Sequence, residues 1–566
     1  MTGAGAALDA ASRGLSVALV EARDLAAGTS SRSSKLIHGG LRYLEQLEFG
    51  LVHEALQERG LLATRIAPHL VRPVPILVPL TTEPTNGVAD VAREAGHRAW
   101  QRAYLGSGVA LYDVFAGLFG RGRGMPPHRH LSKTSARRVF PSLREDILAG
   151  AIRYYDGQVD DARYVTTMAR TAASLGAAVV TSVSAVGLRR EARQVVGIRV
   201  RDVESGAEFD VSAHTVVAAT GVWSDDIGAL LGERPVPAGS GLRVRASKGV
   251  HLVVPRSAIS GDAGLILRTP SSVLFVLPWG GHWIIGTTDT DWTLDRSHPA
   301  ASARDIDYIL GQLNQWLERP LSMSDIEGVY AGLRPLLAGE DEQTSALSRE
   351  HAVVEPMLGL MVVAGGKYTT YRVMAADVID RAVRRLELGA DNEPSSVTDQ
   401  LPLLGADGYA EMWSQRADIA RRRGITVGTL EHLLERYGSL ARDVLTMIDE
   451  DPLLGSALPG APEYLAAEVV YACAAEGALH LEDVLTRRTR ISIETSHRGA
   501  ASAAAAADLM ARVLGWDAAT RDREVATYVA GVEAERESQR MPDDESADAA
   551  RLHVPDIRLG ATPSVA

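Results

Sequence analysis

The chain has 566 residues, 46% of them hydrophobic, a formal net charge of −12 at pH 7 and a single cysteine, Cys473. That length buries a large core and divides into two or more domains, the acidic balance speaks against a nucleic-acid-binding protein, and one cysteine with no Cys/His cluster at zinc-like spacing excludes an internal disulfide and a structural zinc site. With a mean hydropathy of −0.02, no run approaching the roughly 20 apolar residues of a membrane span and no leader pattern, a reducing cytoplasmic setting is expected.

The opening stretch, MTGAGAALDAASRGLSVALVEARD, predicts an alanine-rich helix from Thr2, a short buried strand over residues 17–20 and then an acid, Glu21. Helix, strand, acid is the second half of a dinucleotide-binding βαβ unit, whose glycines bring a helix N-terminus to a pyrophosphate and whose acid bonds a ribose hydroxyl. Gly3 fits the last glycine and Glu21 the acid, but the preceding strand and two glycines are missing. Without that strand its sheet neighbours keep unpaired backbone groups, each costing about 1–3 kcal/mol if buried. The expectation is that the native polypeptide begins some tens of residues upstream.

Residues 28–50, GTSSRSSKLIHGGLRYLEQLEFG, carry four serines, a threonine and the pair Gly39-Gly40. On composition this is a solvated loop; on position it leaves the carboxyl end of a strand, where open α/β sheets bind ligands. Residues 97–124 mix Trp100, Tyr104, Leu105, Phe115, Leu118 and Phe119 with Arg98, Arg102, Arg121 and Arg123, which suits either an interfacial helix on an anionic membrane or a hairpin packed on the protein itself.

Two later stretches return to the nucleotide domain. HTVVAATGVWSDDIG (214–228) runs from a strand through Thr220-Gly221 into a helix, and LGLMVVAGGKYTTYRVMAADVIDRAV (358–383) does so through Gly365-Gly366. In each a glycine turn lets backbone approach a ligand ahead of a helix N-terminus, so a discontinuous, flavin-type nucleotide domain is expected. DTDWTLD (289–295) lacks the glycine and glutamate of a calcium loop and is taken as a turn. From about 400 to 535 apolar residues recur every three or four positions, as in helices. The basic run TRRTRISIETSHRG (486–499) is expected to be a solvated helix end, and the polar segment from 536 to be disordered.

The segment SSRSSKLIHGGLRYLE, with ALVEARDLAAGTSS before it, GTTDTD at 286–291, GLRPLLAG at 332–339, LSRE at 347–350 and AGGKYTTYR at 364–372, resembles the FAD-dependent glycerol-3-phosphate dehydrogenase family, in order and spacing from residue 1 to about 535. The resemblance implies an α/β fold: a discontinuous Rossmann-like FAD-binding domain (1–80, 150–245 and 330–390), an α+β substrate and membrane-facing domain (81–149 and 246–329) of the amino-acid-oxidase type, and an all-α C-terminal domain (400–535), followed by the tail 536–566.

It also implies the site. FAD would be held by Gly3, Glu21 and Ala22, by Thr29, Ser30, Ser31, Ser34 and Lys35, by His38, Gly39 and Gly40, and by Thr220, Gly221, Gly366 and Thr369. A phosphate dianion calls for guanidinium groups making paired, charge-assisted hydrogen bonds, and Arg42, Arg334 and Arg349 with Lys367 stand at the motif positions. Oxidation at C2 sends a hydride to flavin N5 and needs a proton acceptor. From the residues themselves His251 is the first candidate, since an imidazole titrates near the working pH, and His38, which the resemblance places beside the flavin, is the second, with Arg334 and Lys367 as catalytic cations and Tyr43 and either Thr287 or Thr288 positioning substrate.

By the same resemblance electrons pass to a membrane quinone, the enzyme lying peripherally on the inner face of the cell membrane, with a homodimer left open. An oxygen-using glycerol-3-phosphate oxidase and a catalytically silent binding protein are the alternatives. A related amino-acid oxidase fits less well, because its substrates do not call for so many phosphate-suited cations.

Overall fold

The computed structural model describes residues 1–40, 48–81, 125–230, 243–270, 273–337, 351–386, 393–554 and 556–558. The nucleotide-domain expectation is met at the opening: the helix Thr2–Ser12 leads into the strand Ala18–Val20, which pairs in parallel with Ala178–Val180. A second parallel pair, Val216–Ala218 with Leu360–Gly365, is extended by the antiparallel strand His351–Met357. The helix Thr2–Ser12 is small and buried because it is wedged among other elements. A Cβ at Gly5 would lie 2.8 Å from the Tyr371 ring, which opens the helix Tyr371–Arg384.

A ten-stranded sheet forms the larger layer. Its spine is the strand Val244–Pro255, flanked by His282–Gly286 and Gly328–Leu337, both antiparallel to it. At the far side the long strands Val71–Thr81 and Leu148–Val159 pair antiparallel, and Leu36–Ile37, the end of the Ser-rich segment, joins the edge. Helix Ala303–Asn314 packs on this sheet through Ile306, Ile309 and Leu313.

This pairing moves three boundaries expected from sequence. The strands over 71–81, 148–159 and 328–337 belong to this ten-stranded sheet, whereas the sequence reading places residues 1–80, 150–245 and 330–390 in the nucleotide domain. Each is an apolar run that sequence identifies as a strand, and only its hydrogen-bonded partner decides its sheet.

The helical domain is present, with Val427–Tyr437, Ala441–Glu450, Ala466–Glu476, Ala503–Leu514 and Ala518–Ser538 among its helices. Two expectations about this end of the chain are corrected. The segment after 535 is ordered as far as described: Asp544–Arg551 is a helix, Ala547 is fully buried, and Arg558 is buried against Asp483 at 2.7 Å. The basic run is interior, not solvated. Arg488 pairs with Asp24 at 2.7 Å, Arg487 pairs with Asp24 and Asp483, and Arg490 pairs with Asp161. Buried cations are tolerated because each finds a carboxylate, and apart from Asp483 those partners, Asp24 and Asp161, lie hundreds of residues away in sequence.

Among the described residues no helix is long and apolar enough to cross a membrane, and no cluster of metal-ligating side chains occurs.

Candidate active site

Alternation along two paired strands builds one face. In register, His251 opposes Tyr330, Gly249 opposes Gly332 and Ser247 opposes Arg334, so all six side-chain positions point to the same side of the sheet. The two glycines leave room on that face. A Cβ at Gly332 would lie 2.6 Å from the Arg32 carbonyl oxygen, and one at Gly249 would lie 2.5 Å from Arg334 Nη2 and from Thr287 Oγ1. The Ser-rich loop therefore crosses over Gly332, and the Arg334 guanidinium lies over Gly249.

Arg334 is held in a fork. Its Nη2 donates to Thr287 Oγ1 at 2.9 Å, both Nη atoms donate to the Thr288 carbonyl at 3.2 Å, and Asp289 lies 3.5 Å away. His251 is stacked on Tyr330, with ring centroids 4.7 Å apart and planes 10° apart, and its Nε2 is 2.9 Å from Ser34 Oγ. Burial, reinforced by the positive charges of Arg334 and Lys35, holds the imidazole pKa well below its ordinary value. His251 is thus neutral at physiological pH, the form able to accept a proton.

The cofactor candidates converge. The Met1 amine, at the start of the first helix, donates to Ser30 Oγ at 3.1 Å, and a Cβ at Gly3 would touch that of Ala219 at 3.5 Å, beside the Thr220-Gly221 turn. Thr29 Oγ1 donates to the Leu333 carbonyl at 2.7 Å. Thr369 accepts from the His38 amide and donates to the His38 carbonyl, both at 3.1 Å, which ties the Ser-rich segment to the turn holding Gly366 and Lys367. Gly39 and Gly40 are buried beside His38, and Gly40, Gly221 and Gly366 have φ of 77°, 60° and 79°, values that favour glycine. Glu21 caps the strand end and accepts from the Arg23 amide at 3.1 Å, with Ala22 exposed next to it.

One assignment changes. The ammonium of Lys35 is fully buried and bonded to both Asp161 oxygens at 2.7 Å and to the Ser31 carbonyl at 2.6 Å, so it braces the loop rather than reaching a cofactor. Arg42, Tyr43, Arg349 and the segment 97–124 lie outside the described residues.

Sequence reasoning missed Tyr330 and Asp161. Tyr330 was detectable, since it falls two and four residues before Gly332 and Arg334 on one strand face. Asp161 follows Asp160, which caps the helix Asp161–Ser174 by accepting from the Arg163 amide at 3.2 Å. An acidic pair at a helix start is ordinarily a cap, and nothing local marks the second acid as a hub.

A profile of the family described as "FAD dependent oxidoreductase" matches residues 1–372, and one described as "C-terminal domain of alpha-glycerophosphate oxidase" matches 396–521. The chain is 55% identical over 558 residues, 99% of its length, to "Glycerol-3-phosphate dehydrogenase 2" of Mycobacterium tuberculosis, covering 91% of that protein. It is 35% identical to the mitochondrial glycerol-3-phosphate dehydrogenase of Homo sapiens, over 93% of this chain and 71% of the human one. The crystal structure of a glycerol-3-phosphate dehydrogenase from Bacillus halodurans complexed with FAD superposes with a TM-score of 0.73 at 26% identity, covering 96% of this chain and 93% of that one.

Proposed function

The chain belongs to the FAD-dependent glycerol-3-phosphate dehydrogenase family, and on that premise we propose that it oxidises sn-glycerol 3-phosphate at C2 to dihydroxyacetone phosphate on the face built by His251 and Arg334. The cradle fits FAD: three glycine turns with positive φ meet a helix start and a strand-end acid, as a dinucleotide requires. Gly3, Glu21, Ser30, Thr220, Gly221, Gly366 and Thr369 would hold it, together with the backbone of His38 to Gly40. When bound, the flavin supplies the two-electron acceptor for the hydride leaving C2.

The chain's own groups do the rest. The hydroxyl proton is taken up at His251 Nε2, the ring atom that faces the Ser-rich loop. Arg334, braced by Thr287 and the Thr288 carbonyl, polarises the C2 oxygen as it loses that proton. Arg42, Arg349 and Lys367 carry the phosphate. The observation that bears most weight is the buried imidazole of His251 on one sheet face with the braced guanidinium of Arg334. The test is anaerobic mixing with glycerol 3-phosphate: the flavin absorbance of the protein should bleach, and His251→Asn should slow bleaching about 10²–10⁴-fold while FAD is retained. Unchanged bleaching in that variant would remove the assignment.

For reoxidation we favour a membrane quinone, with the arginine and aromatic segment 97–124 as the docking element at an anionic surface. Turnover with a short-chain quinone without hydrogen peroxide would support this reading, and stoichiometric peroxide would favour the oxidase alternative.

A further inference from the structure

The helical domain meets the sheet face described above through Ile493, which packs with Tyr330 and Val253, and Arg490 from the same domain reaches the loop that touches His251. We infer that Asp161, clamped by Arg490, is a positioning residue for His251. This inference rests on the reading of His251 as the proton acceptor.

Asp161 is completely buried, and its carboxylate gathers donors from four places. It accepts from the Ser33 amide at 2.9 Å and the Ser33 hydroxyl at 2.7 Å, from Lys35 Nζ at 2.7 Å, from the Ala162 amide at 2.9 Å and from Arg490 Nη2. Ser33 Oγ also accepts from the Lys35 amide at 3.0 Å. The hub therefore fixes residues 33 and 35, and with them Ser34 between. Ser34 Oγ is the group 2.9 Å from His251 Nε2.

The ring face of His251 is set from the same hub. Tyr330, on which the imidazole stacks, donates its hydroxyl to the Ser33 carbonyl at 3.0 Å, and Lys35 Nζ lies 5.0 Å from the Tyr330 ring centroid. One carboxylate thus governs both the edge contact and the stacking partner of the imidazole.

Arg490 is itself rigid. Its amide donates to the Tyr464 hydroxyl at 3.0 Å, its Nη1 donates to the Thr486 carbonyl at 2.9 Å, its Nη2 also donates to the Ser31 carbonyl at 3.1 Å, and Asp160 lies 3.2 Å from its Nε. Buried ion pairs contribute little net stability against a well-packed apolar alternative. What they supply here is geometry: a fully bonded carboxylate leaves the loop a single arrangement, and small displacements of a catalytic group are expensive in rate.

The test compares Arg490→Met, Arg490→Lys and Ser33→Ala in the full-length holoenzyme, with His251→Asn as reference. Arg490→Met keeps the Asp161–Lys35 pair, and Ser33→Ala leaves every buried charge paired. We expect each to lower kcat about tenfold, to leave KM for glycerol 3-phosphate within about twofold and FAD content unchanged, and to raise the apparent pKa of the acid limb of the rate profile as His251 becomes better solvated. Amide exchange over residues 29–38 should quicken while exchange in the helical domain does not, and Arg490→Lys should recover part of kcat.

Unchanged kcat, pH profile and exchange in Arg490→Met and Ser33→Ala would overturn the inference. So would a loss of kcat accompanied by loss of FAD and general unfolding in Ser33→Ala, since the hub would then be merely structural. Full activity in His251→Asn would instead reject the acceptor assignment on which the inference stands.

Discussion

Ser34 Oγ and His251 Nε2 stand 2.9 Å apart, joining the Ser-rich loop to the central strand of the substrate sheet across 217 positions of sequence. The contact ties the loop and the imidazole to one another.

His251 should give the enzyme an acid limb displaced downward. Its pKa is held well below the ordinary histidine value by burial and by Arg334 and Lys35, so the neutral, accepting form persists to lower pH than an ordinary histidine allows. We expect the acid-side fall of kcat/KM to begin below the pH at which an ordinary histidine takes up its proton. His251→Asn should lose about 10²–10⁴-fold in kcat, the range for a general base. Steady-state rates across pH check both.

Gly249 provides a way to move Arg334 without removing its charge. A Cβ there would lie 2.5 Å from Arg334 Nη2 and Thr287 Oγ1, groups that can swing aside. Gly249→Ala should therefore fold and keep FAD, while kcat/KM falls about 10²-fold from misplacement of the guanidinium. Arg334→Ala should lower it at least as far. Wild-type kinetics in Gly249→Ala would remove Arg334 from the site.

His480 joins the helical domain to the turn between the strands Gln194–Asp202 and Glu208–Ser212 by bonding Glu524 at 2.8 Å and Glu204 at 2.9 Å. Burial opposes its charge, but the two carboxylates outweigh it and raise its pKa from 6.5 to about 10. A raised folded-state pKa contributes stability fully below the unfolded value and loses it as pH rises through the folded one. Unfolding free energy should thus decline between pH 6.5 and about 10, by at most roughly 1.4 kcal/mol per pH unit from this group. His480→Gln should flatten that decline in denaturant titrations.

The C-terminal segment should be a stabilising strap. Arg558 and Asp483 are both buried and 2.7 Å apart, so Arg558→Ala removes one of the two buried guanidinium partners of Asp483, which keeps Arg487 at 2.6 Å. We expect a loss of about 1–3 kcal/mol. Arg521 pairs with Asp508 at 2.8 Å on the surface, where solvent screens the pair, and its replacement by alanine should cost far less. Thermal melts of the two variants give the comparison.

Much of this architecture was legible in the residues. The strand, glycine and helix sequences at 214–228 and 358–383 form the expected units because turn chemistry is local: Gly221 and Gly366 occupy backbone conformations that their own sequence context demands. The helical character of 400–535 followed from periodicity. The motif positions of His251, Arg334 and Thr287 led to groups that the sheet brings together.

What stayed hidden was the identity of partners. Arg490 and Asp161 are 329 residues apart, and Arg488 and Asp24 are 464 apart. A basic run carries the same letters whether it faces water or a buried carboxylate, so the segment 486–499 was misjudged as solvated, and Lys35 as a cofactor ligand. The composition of residues 536–566 suggests disorder for the same reason, since the burial of Ala547 within it depends on a surface made elsewhere.

The sequence alone determined the elements, the glycine turns and the chemical groups available, because φ/ψ preference and side-chain periodicity act over a few residues. Tertiary structure decided which strands share a sheet, which cations are interior and which hydroxyl meets His251. Those depend on pairing across hundreds of positions, where burial makes an unpaired charge or hydrogen-bonding group too costly for any arrangement but the matched one.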